Sequence, residues 1–176
     1  MPNIDYISKK ARSLYVRYGT RDPFSLCEAL DIGVKYKDLG DRIKGYFFYQ
    51  SRIKTIVLNS RTDKTLNRIL CAHELGHAVL HSDMLCTMKS LHDPHLFDTA
   101  SLTEYEANVF ASELLIDDGE LTELLRCNEY SLFQMASILY VPMELLDFKL
   151  RILNNKGYNI DVPYLAQSDF LKQISL

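Results

Sequence analysis

The stretch AHELGHAVLH, residues 72–81, contains the pattern His-Glu-x-x-His at His73, Glu74 and His77. On an α-helix, a spacing of four residues turns both imidazoles toward one point, so that a single metal ion can bridge them. Zinc takes nitrogen and oxygen ligands in a tetrahedral shell, and a catalytic site keeps one position for water. Glu74 would project beside the metal, where it can accept a proton from that water. The motif therefore predicts one Zn²⁺ per chain, with His73 and His77 as ligands and Glu74 as the general base.

The residues around the motif predict the helix that carries it. Apolar and histidine side chains recur at helical spacing on one side of the chain from about Thr62 to Ser82. The apolar neighbours, which would bury this helix and exclude water, are Leu70, Ala72, Leu75, Ala78 and Val79. The alternative is a core helix whose histidines are merely hydrogen-bonded. It is disfavoured because polar groups left unpaired in a core are costly.

A third protein ligand is expected from TEYEANVFASELL, residues 103–115, where Glu104 and Glu106 are the candidates. Glu104, Ala107 and Asn108 have the spacing E-x-x-A-N and therefore share one face of a helix. The small side chain of Ala107 permits close approach of a second helix. Asn108 could accept a hydrogen bond from the outer ring nitrogen of a ligand histidine and fix its tautomer. This geometry favours Glu104 as the third ligand and leaves Glu106 as the alternative.

The other histidines are not assigned to the metal. His81 continues the helical stripe, but one straight helix cannot wrap three successive turns around one ion. A metzincin would need H-E-x-x-H-x-x-G-x-x-H, whereas Leu80 stands at the glycine position and Asp83 at the last histidine position. His92 and His95 fall in a predicted long loop, and we interpret them as solvated rather than as substrate contacts.

Periodicity and turn residues predict the remaining elements. In chain order these are a helix over residues 4–18, a short helix that begins at Asp22-Pro23 and closes at Gly33, two or three antiparallel strands within VKYK, IKGYFFYQ and RIKTIVLN, the motif helix, an irregular connection over 83–101, and helices at about 102–116, 119–127, 131–139 and 142–154.

These elements predict an α+β, zincin-like metallopeptidase domain with a small antiparallel sheet, an active-site helix and a helical C-terminal part. The domain is expected to cover residues 1–127, with residues 128–176 as a helical extension packed on it. RIKTIVLN, just before the motif helix, is expected to be an exposed edge strand beside the cleft. An extended peptide could pair with such an edge.

The charge of the chain argues against nucleic-acid binding. The net charge is −3 and the pI about 5.9, so no overall positive field attracts phosphate. The segment SLFQMASILYVPMELLDFKLRIL resembles a helix-turn-helix, but Glu144 and Asp147 near the start of its second helix would repel phosphate. Packing of these helices on the core is the favoured interpretation.

Cysteine spacing and hydropathy indicate the compartment. Cys27, Cys71, Cys86 and Cys127 are scattered without a C-x-x-C pair, which indicates free thiols rather than a zinc ribbon or a disulfide framework. No stretch approaches the roughly 18 apolar residues of a membrane span, and the N-terminal residues mix charged with apolar side chains. The expected location is therefore the cytoplasm.

The motif HELGH followed by E-x-E-A-N-x-F-A-x-x-L-L resembles the ImmA/IrrE family of metallopeptidases, over roughly residues 40–116. The chain is also similar to gluzincins such as thermolysin, although Asn108 stands where an aspartate is usual. Leu114-Leu115-Ile116-Asp117 departs from the L-L-M-P that family members commonly carry. The resemblance implies a narrow target, typically a helix-turn-helix repressor encoded beside the protease in a prophage or other mobile element.

Three functions follow from these observations. The favoured one is a zinc-dependent endopeptidase of the cytoplasm that cleaves such a repressor. The alternative is a non-proteolytic adaptor that binds a transcriptional regulator through its C-terminal helices, which the intact His73, Glu74 and His77 disfavour. Zinc hydrolysis of a non-peptide substrate is the third, weaker because H-E-x-x-H with a distant glutamate is chiefly a peptidase arrangement.

Overall fold

The computed structural model of the chain describes residues 3–82, 96–127 and 129–160, with the backbone alone for residues 96–101. Within these ranges, seven helices and one three-stranded sheet confirm the predicted α+β class. None of these helices is long and apolar enough to cross a membrane. The elements are α1 (Ile4–Tyr18), α2 (Pro23–Ala29), β1 (Ile32–Lys37), β2 (Gly45–Gln50), β3 (Ile53–Asn59), α3 (Lys64–Leu80), α4 (Leu96–Leu115), α5 (Asp118–Cys127), α6 (Leu132–Ile138) and α7 (Met143–Asn155).

The second helix begins as predicted but ends earlier. Asp22 caps α2, because its side chain accepts a backbone hydrogen bond from the first turn, and Pro23 is the first helical residue. The prediction that Gly33 closes α2 is wrong. The helix ends at Ala29, and Asp31 takes the left-handed conformation at φ 55°. Aspartate is among the few side chains enriched at positive φ, so Gly33 is free to lie within β1.

The strand order β1-β3-β2 corrects two predictions about the sheet. β3 pairs in parallel with β1 and antiparallel with β2, so the sheet is mixed. RIKTIVLN, predicted to be an exposed edge, supplies β3 and is the central strand. Its residues 55–59 are all buried, and burial of successive residues is typical of a strand covered on both faces. β1 and β2 are the edge strands.

A tight hairpin joins β2 to β3. Ser51 and Arg52 form its two-residue turn, and both have positive φ, at 53° and 66°. Two successive residues with positive φ are typical of the tight turns whose twist matches that of paired antiparallel strands. The turn therefore brings β2 back directly alongside β3.

The motif helix is confirmed as α3, which Asp63 caps through a hydrogen bond from the amide of Leu66. The helix that follows corrects part of the predicted connection over residues 83–101. α4 begins at Leu96, so residues 96–101 are helical. The remainder of that connection, including His92 and His95, lies outside the described residues.

The described C-terminal helices lie close to their predicted bounds, and α7 packs against the core. α7 buries most of its length, including Leu145, Leu146 and Phe148. Its Lys149 is also buried, and the ammonium nitrogen lies 2.8 Å from Oε1 of Glu113 on α4. A buried charge of this kind needs a close partner of opposite sign. The division of the chain near residue 127 stays a prediction.

Candidate metal centre

Two helices bring three ligand-type side chains together. α3 supplies His73 and His77, and α4 supplies Glu104. The Nε2 atoms of His73 and His77 are 3.2 Å apart. Oε2 of Glu104 lies 3.5 Å from Nε2 of His73, and its Oε1 lies 3.6 Å from Nε2 of His77. Among the described residues, these three form the group of His, Cys, Asp or Glu side chains close enough to share one metal ion.

The separations fit a tetrahedral metal. Zinc bonds of 2.0 to 2.2 Å to nitrogen and oxygen place neighbouring ligands of a tetrahedron roughly 3.3 to 3.6 Å apart. The separation of the two Nε2 atoms, 3.2 Å, lies within about 0.1 Å of that range. The carboxylate of Glu104 approaches the two nitrogens through different oxygens, with Oε2 at 3.5 Å from His73 and Oε1 at 3.6 Å from His77. The donor set of two imidazoles and one carboxylate also matches catalytic zinc sites, which keep a fourth position open.

The hydrogen bond behind His73 directs its other nitrogen toward the centre. Nδ1 of His73 lies 2.8 Å from Oδ1 of the fully buried Asn108. Because that oxygen is an acceptor, Nδ1 donates, and in the neutral ring Nε2 keeps its lone pair. Burial lowers the pKa of His73, but the hydrogen bond that its ring donates to Glu104, the charges of Glu74 and Glu104 and the hydrogen bond to Asn108 outweigh it and raise the pKa. The surroundings of His73 thus favour a positive charge at its imidazole.

The hydrogen bonds behind His77 involve two residues that sequence reasoning did not assign. Nδ1 of His77 lies 3.1 Å from Nδ1 of His81, and Nε2 of His81 lies 2.9 Å from Oε2 of Glu106. Glu106, considered from the sequence as an alternative metal ligand, therefore faces His81. The four-residue spacing of His77 and His81 is the sequence feature that could have indicated this contact, because it places both rings on one face of α3. From the sequence, His81 is assessed only as a possible ligand of the metal itself.

Glu74 lies between α3 and the edge strand β2, with only 7% of its surface exposed. A Cβ atom placed on Gly45 of β2 would lie 3.8 Å from Oε1 of Glu74 and 3.1 Å from the carbonyl oxygen of Val57. The absence of a side chain at Gly45 thus permits β2 to run close to β3 and to the carboxylate. Glu74 also lies near enough to His73 for its charge to act on that imidazole.

Close packing of α3 on α4 sets the distance between the histidines and Glu104. A Cβ atom on Gly76 would lie 3.1 Å from Cα of Ala107, 3.3 Å from its carbonyl oxygen and 3.2 Å from Cδ1 of Phe110. Two of these three atoms belong to the backbone and cannot rotate away. The small residue predicted at Ala107 therefore meets a glycine on the partner helix.

We expect Gly76→Ala to push α3 and α4 apart and to lower both stability and metal retention. Overpacking of a close contact costs about 1 to 3 kcal/mol, and the shift would lengthen the distances from Glu104 to both histidines. Denaturant unfolding and zinc content measure the two effects. Gly33→Ala is the matched control, because its Cβ would meet the nearest atoms at an ordinary 3.8 Å. Unchanged stability and zinc content in Gly76→Ala would contradict the expectation.

Comparison with known proteins finds one matching family model and two similar proteins from Bacillus and one of its phages. Residues 27–151 match the family model described as the IrrE N-terminal-like domain. The chain is 33% identical over 143 residues to uncharacterized immunity region protein 2 of Bacillus phage phi105, covering 81% of this chain and 88% of that protein. It is 28% identical over 145 residues to the metallopeptidase ImmA of Bacillus subtilis, covering 82% and 83% of the two chains. The similarity extends over most of each protein and includes the two helices of the candidate centre.

Proposed function

We propose, on the premise that this chain belongs to the ImmA/IrrE family of metallopeptidases, that it is a zinc-dependent endopeptidase of the cytoplasm. Its proposed substrate is one specific protein, a helix-turn-helix repressor of a prophage or other mobile element. The relatives support this context, since one is a phage immunity region protein and another is named a metallopeptidase. The described cysteines Cys27, Cys71 and Cys127 are free thiols, which fits a reducing compartment.

The observation that carries the proposal is the convergence of three acceptor atoms. Nε2 of His73, Nε2 of His77 and the carboxylate of Glu104 lie 3.2 to 3.6 Å apart. With Nδ1 of each imidazole acting as donor, all three groups present lone pairs to one another. Such an arrangement is repulsive unless a positive charge, either a metal ion or a proton on an imidazole, lies among them. In the proposed enzyme, His73, His77 and Glu104 hold one Zn²⁺.

The reaction needs a Lewis acid and a base. Bound zinc would supply the Lewis acidity that polarises the scissile carbonyl and acidifies water. Glu74 is the proposed base, which accepts the proton of the attacking water and passes it to the leaving amine. Its burial beside β2 limits competing solvent at the carboxylate. Asn108 holds the ring of His73 in the orientation that ligation requires.

The substrate segment is proposed to bind in extended form along β2. β2 is an edge strand and begins at Gly45, beside the carboxylate of Glu74. An edge strand offers backbone donors and acceptors to a peptide, and alternate side chains then reach the surface. Tyr46 and Phe48 are partly exposed on β2, with ring centroids 6.0 Å apart, and provide apolar contact for such a segment.

A second candidate function is partner binding without cleavage. Aromatic side chains near α6 favour it, because Phe133 is 72% exposed and Tyr140 is 71% exposed. Exposed aromatic groups of this size are enriched at protein interfaces. The same surface would serve equally well to dock the substrate of a selective protease. Turnover therefore decides between the two candidates.

The test combines metal analysis with cleavage of a candidate repressor. Purified protein is expected to contain one zinc per chain, to cut a helix-turn-helix repressor encoded beside it, and to lose activity with a chelator until zinc is restored. Cleavage is read as fragments by mass spectrometry, with an unrelated helix-turn-helix protein as the control substrate. A folded preparation that never takes up one metal ion per chain would contradict the proposed zinc site. Tight binding of repressor by zinc-loaded protein without cleavage would favour the second candidate.

A further inference from the structure

A pair of side chains, the buried His81 and the half-buried Glu106, lies behind His77 on the side away from Glu104. His81 is 6% exposed and is the residue that follows the last turn of α3, while Glu106 comes from α4. A hydrogen-bonded series runs from His77 through His81 to Glu106. Nδ1 of His77 lies 3.1 Å from Nδ1 of His81, and Nε2 of His81 lies 2.9 Å from Oε2 of Glu106.

When His81 is neutral, the carboxylate of Glu106 at the end of this series determines which ring nitrogens donate and which accept. An ionised carboxylate can only accept, so Nε2 of His81 donates to Glu106. In a neutral imidazole the other nitrogen is then an acceptor, so Nδ1 of His81 accepts from Nδ1 of His77. Nε2 of His77 is left with its lone pair, directed at Nε2 of His73 and at Glu104. Only this tautomer of His77 can bind a metal through Nε2.

We propose that His81 and Glu106 are positioning residues that select the metal-binding tautomer of His77 and hold its ring toward Glu104. This inference rests on the proposed metal site. Without Glu106, His81 could place its proton on Nδ1, and His77 would then carry its own proton on Nε2, where a ligand needs a lone pair. A carboxylate behind the ring also makes the imidazole a stronger donor to a metal.

The two ligand histidines are therefore supported differently. His73 is held by the neutral amide of Asn108, and His77 is held by a carboxylate acting through a second histidine. Asn108 supplies an acceptor but no negative charge. The charge behind the site stands instead at Glu106, on the same helix and two residues from the ligand Glu104. Glu104-x-Glu106-x-Asn108 on α4 thus supplies one proposed ligand, the carboxylate that contacts His81, and the amide that contacts His73.

The experiment compares zinc affinity and histidine tautomer in three variants of the full chain. Glu106→Ala and His81→Ala are expected to weaken zinc binding about 10- to 100-fold in chelator competition. Glu106→Gln, whose amide oxygen still accepts from His81, should stay within a few-fold of the parent protein. Glu123→Ala is the control, since this glutamate is exposed on α5. All variants are compared at one pH, and metal-free thermal unfolding reports whether each is folded.

The ¹⁵N NMR spectrum of metal-free, histidine-labelled protein reports which ring nitrogen of His77 carries the proton. A merely structural role of Glu106 would leave this tautomer unchanged. The parent protein and Glu106→Gln should show His77 protonated at Nδ1, and Glu106→Ala should show a mixture of tautomers. Unchanged zinc affinity and an unchanged His77 tautomer in folded Glu106→Ala would overturn the inference and leave the peptidase proposal intact. Failure of the parent protein itself to bind zinc would instead overturn the proposed function.

Discussion

Glu74→Gln is expected to lower the rate of substrate cleavage by about 10²- to 10⁴-fold, the usual contribution of a general base. Glutamine has nearly the shape of glutamate but cannot accept a proton at neutral pH. Glu74 is not among the three grouped ligand residues, so zinc content should remain at one per chain. Fragment yield against time, measured at equal zinc occupancy, gives the ratio directly.

The control for this prediction is Glu120→Gln, at an exposed position of α5, which should cleave at the parent rate. The zinc measurement separates two kinds of failure. If Glu74→Gln loses both metal and cleavage, Glu74 acts in holding the site together rather than as a base. If it keeps both, peptide hydrolysis in this protein does not use Glu74, and the proposed mechanism is wrong.

The motif helix and its partner could be predicted because local spacing dictates their geometry. His73 and His77 must share a helix face at four-residue spacing, and the same reasoning groups Glu104 with Asn108. The structure brings His73, His77 and Glu104 within ligand distance of one another and places Asn108 on His73. The start of α2 could also be predicted, since Asp22 is a local capping signal, whereas α2 ends before the predicted Gly33 and α4 begins at Leu96 instead of about residue 102.

The strand order could not be obtained in this way, because pairing depends on contacts between distant residues. The position of RIKTIVLN before α3 does not determine its place in the sheet, whereas the successive apolar residues Ile56, Val57 and Leu58 are typical of a central strand. The β2–β3 hairpin leaves one side of β3 free, and β1 pairs with that side in the parallel direction. The edge available for peptide pairing consequently moves from β3 to β2.

The His81–Glu106 contact illustrates a second limit of sequence reasoning. Each residue was considered alone as a possible metal ligand, and the two are 25 residues apart in the chain. Their pairing depends on the rotation of α4 relative to α3, which the close contact of Gly76 with Ala107 determines. That contact is visible in the sequence only as two small residues on separate helices.

The second large effect is expected at Glu104, and Glu106 provides its matched comparison. Glu104→Gln replaces the carboxylate that lies 3.5 and 3.6 Å from the two Nε2 atoms. A neutral amide is a poor zinc ligand, so the loss in affinity should exceed the roughly 100-fold upper value for an outer partner. Cleavage at limiting zinc should disappear with it, and excess zinc should restore little.

Glu106→Gln makes the same chemical change two residues away, where the side chain faces His81 instead of the candidate metal centre. Its zinc affinity should remain within a few-fold of the parent value, because an amide oxygen can still accept from His81. Chelator competition on the two variants, together with metal-free unfolding to verify the fold, measures the difference. If Glu106→Gln lost zinc while Glu104→Gln retained it, the third ligand would be Glu106, and α4 would have to be rotated from its position in this fold. Equal retention in both variants would mean that neither carboxylate holds the metal.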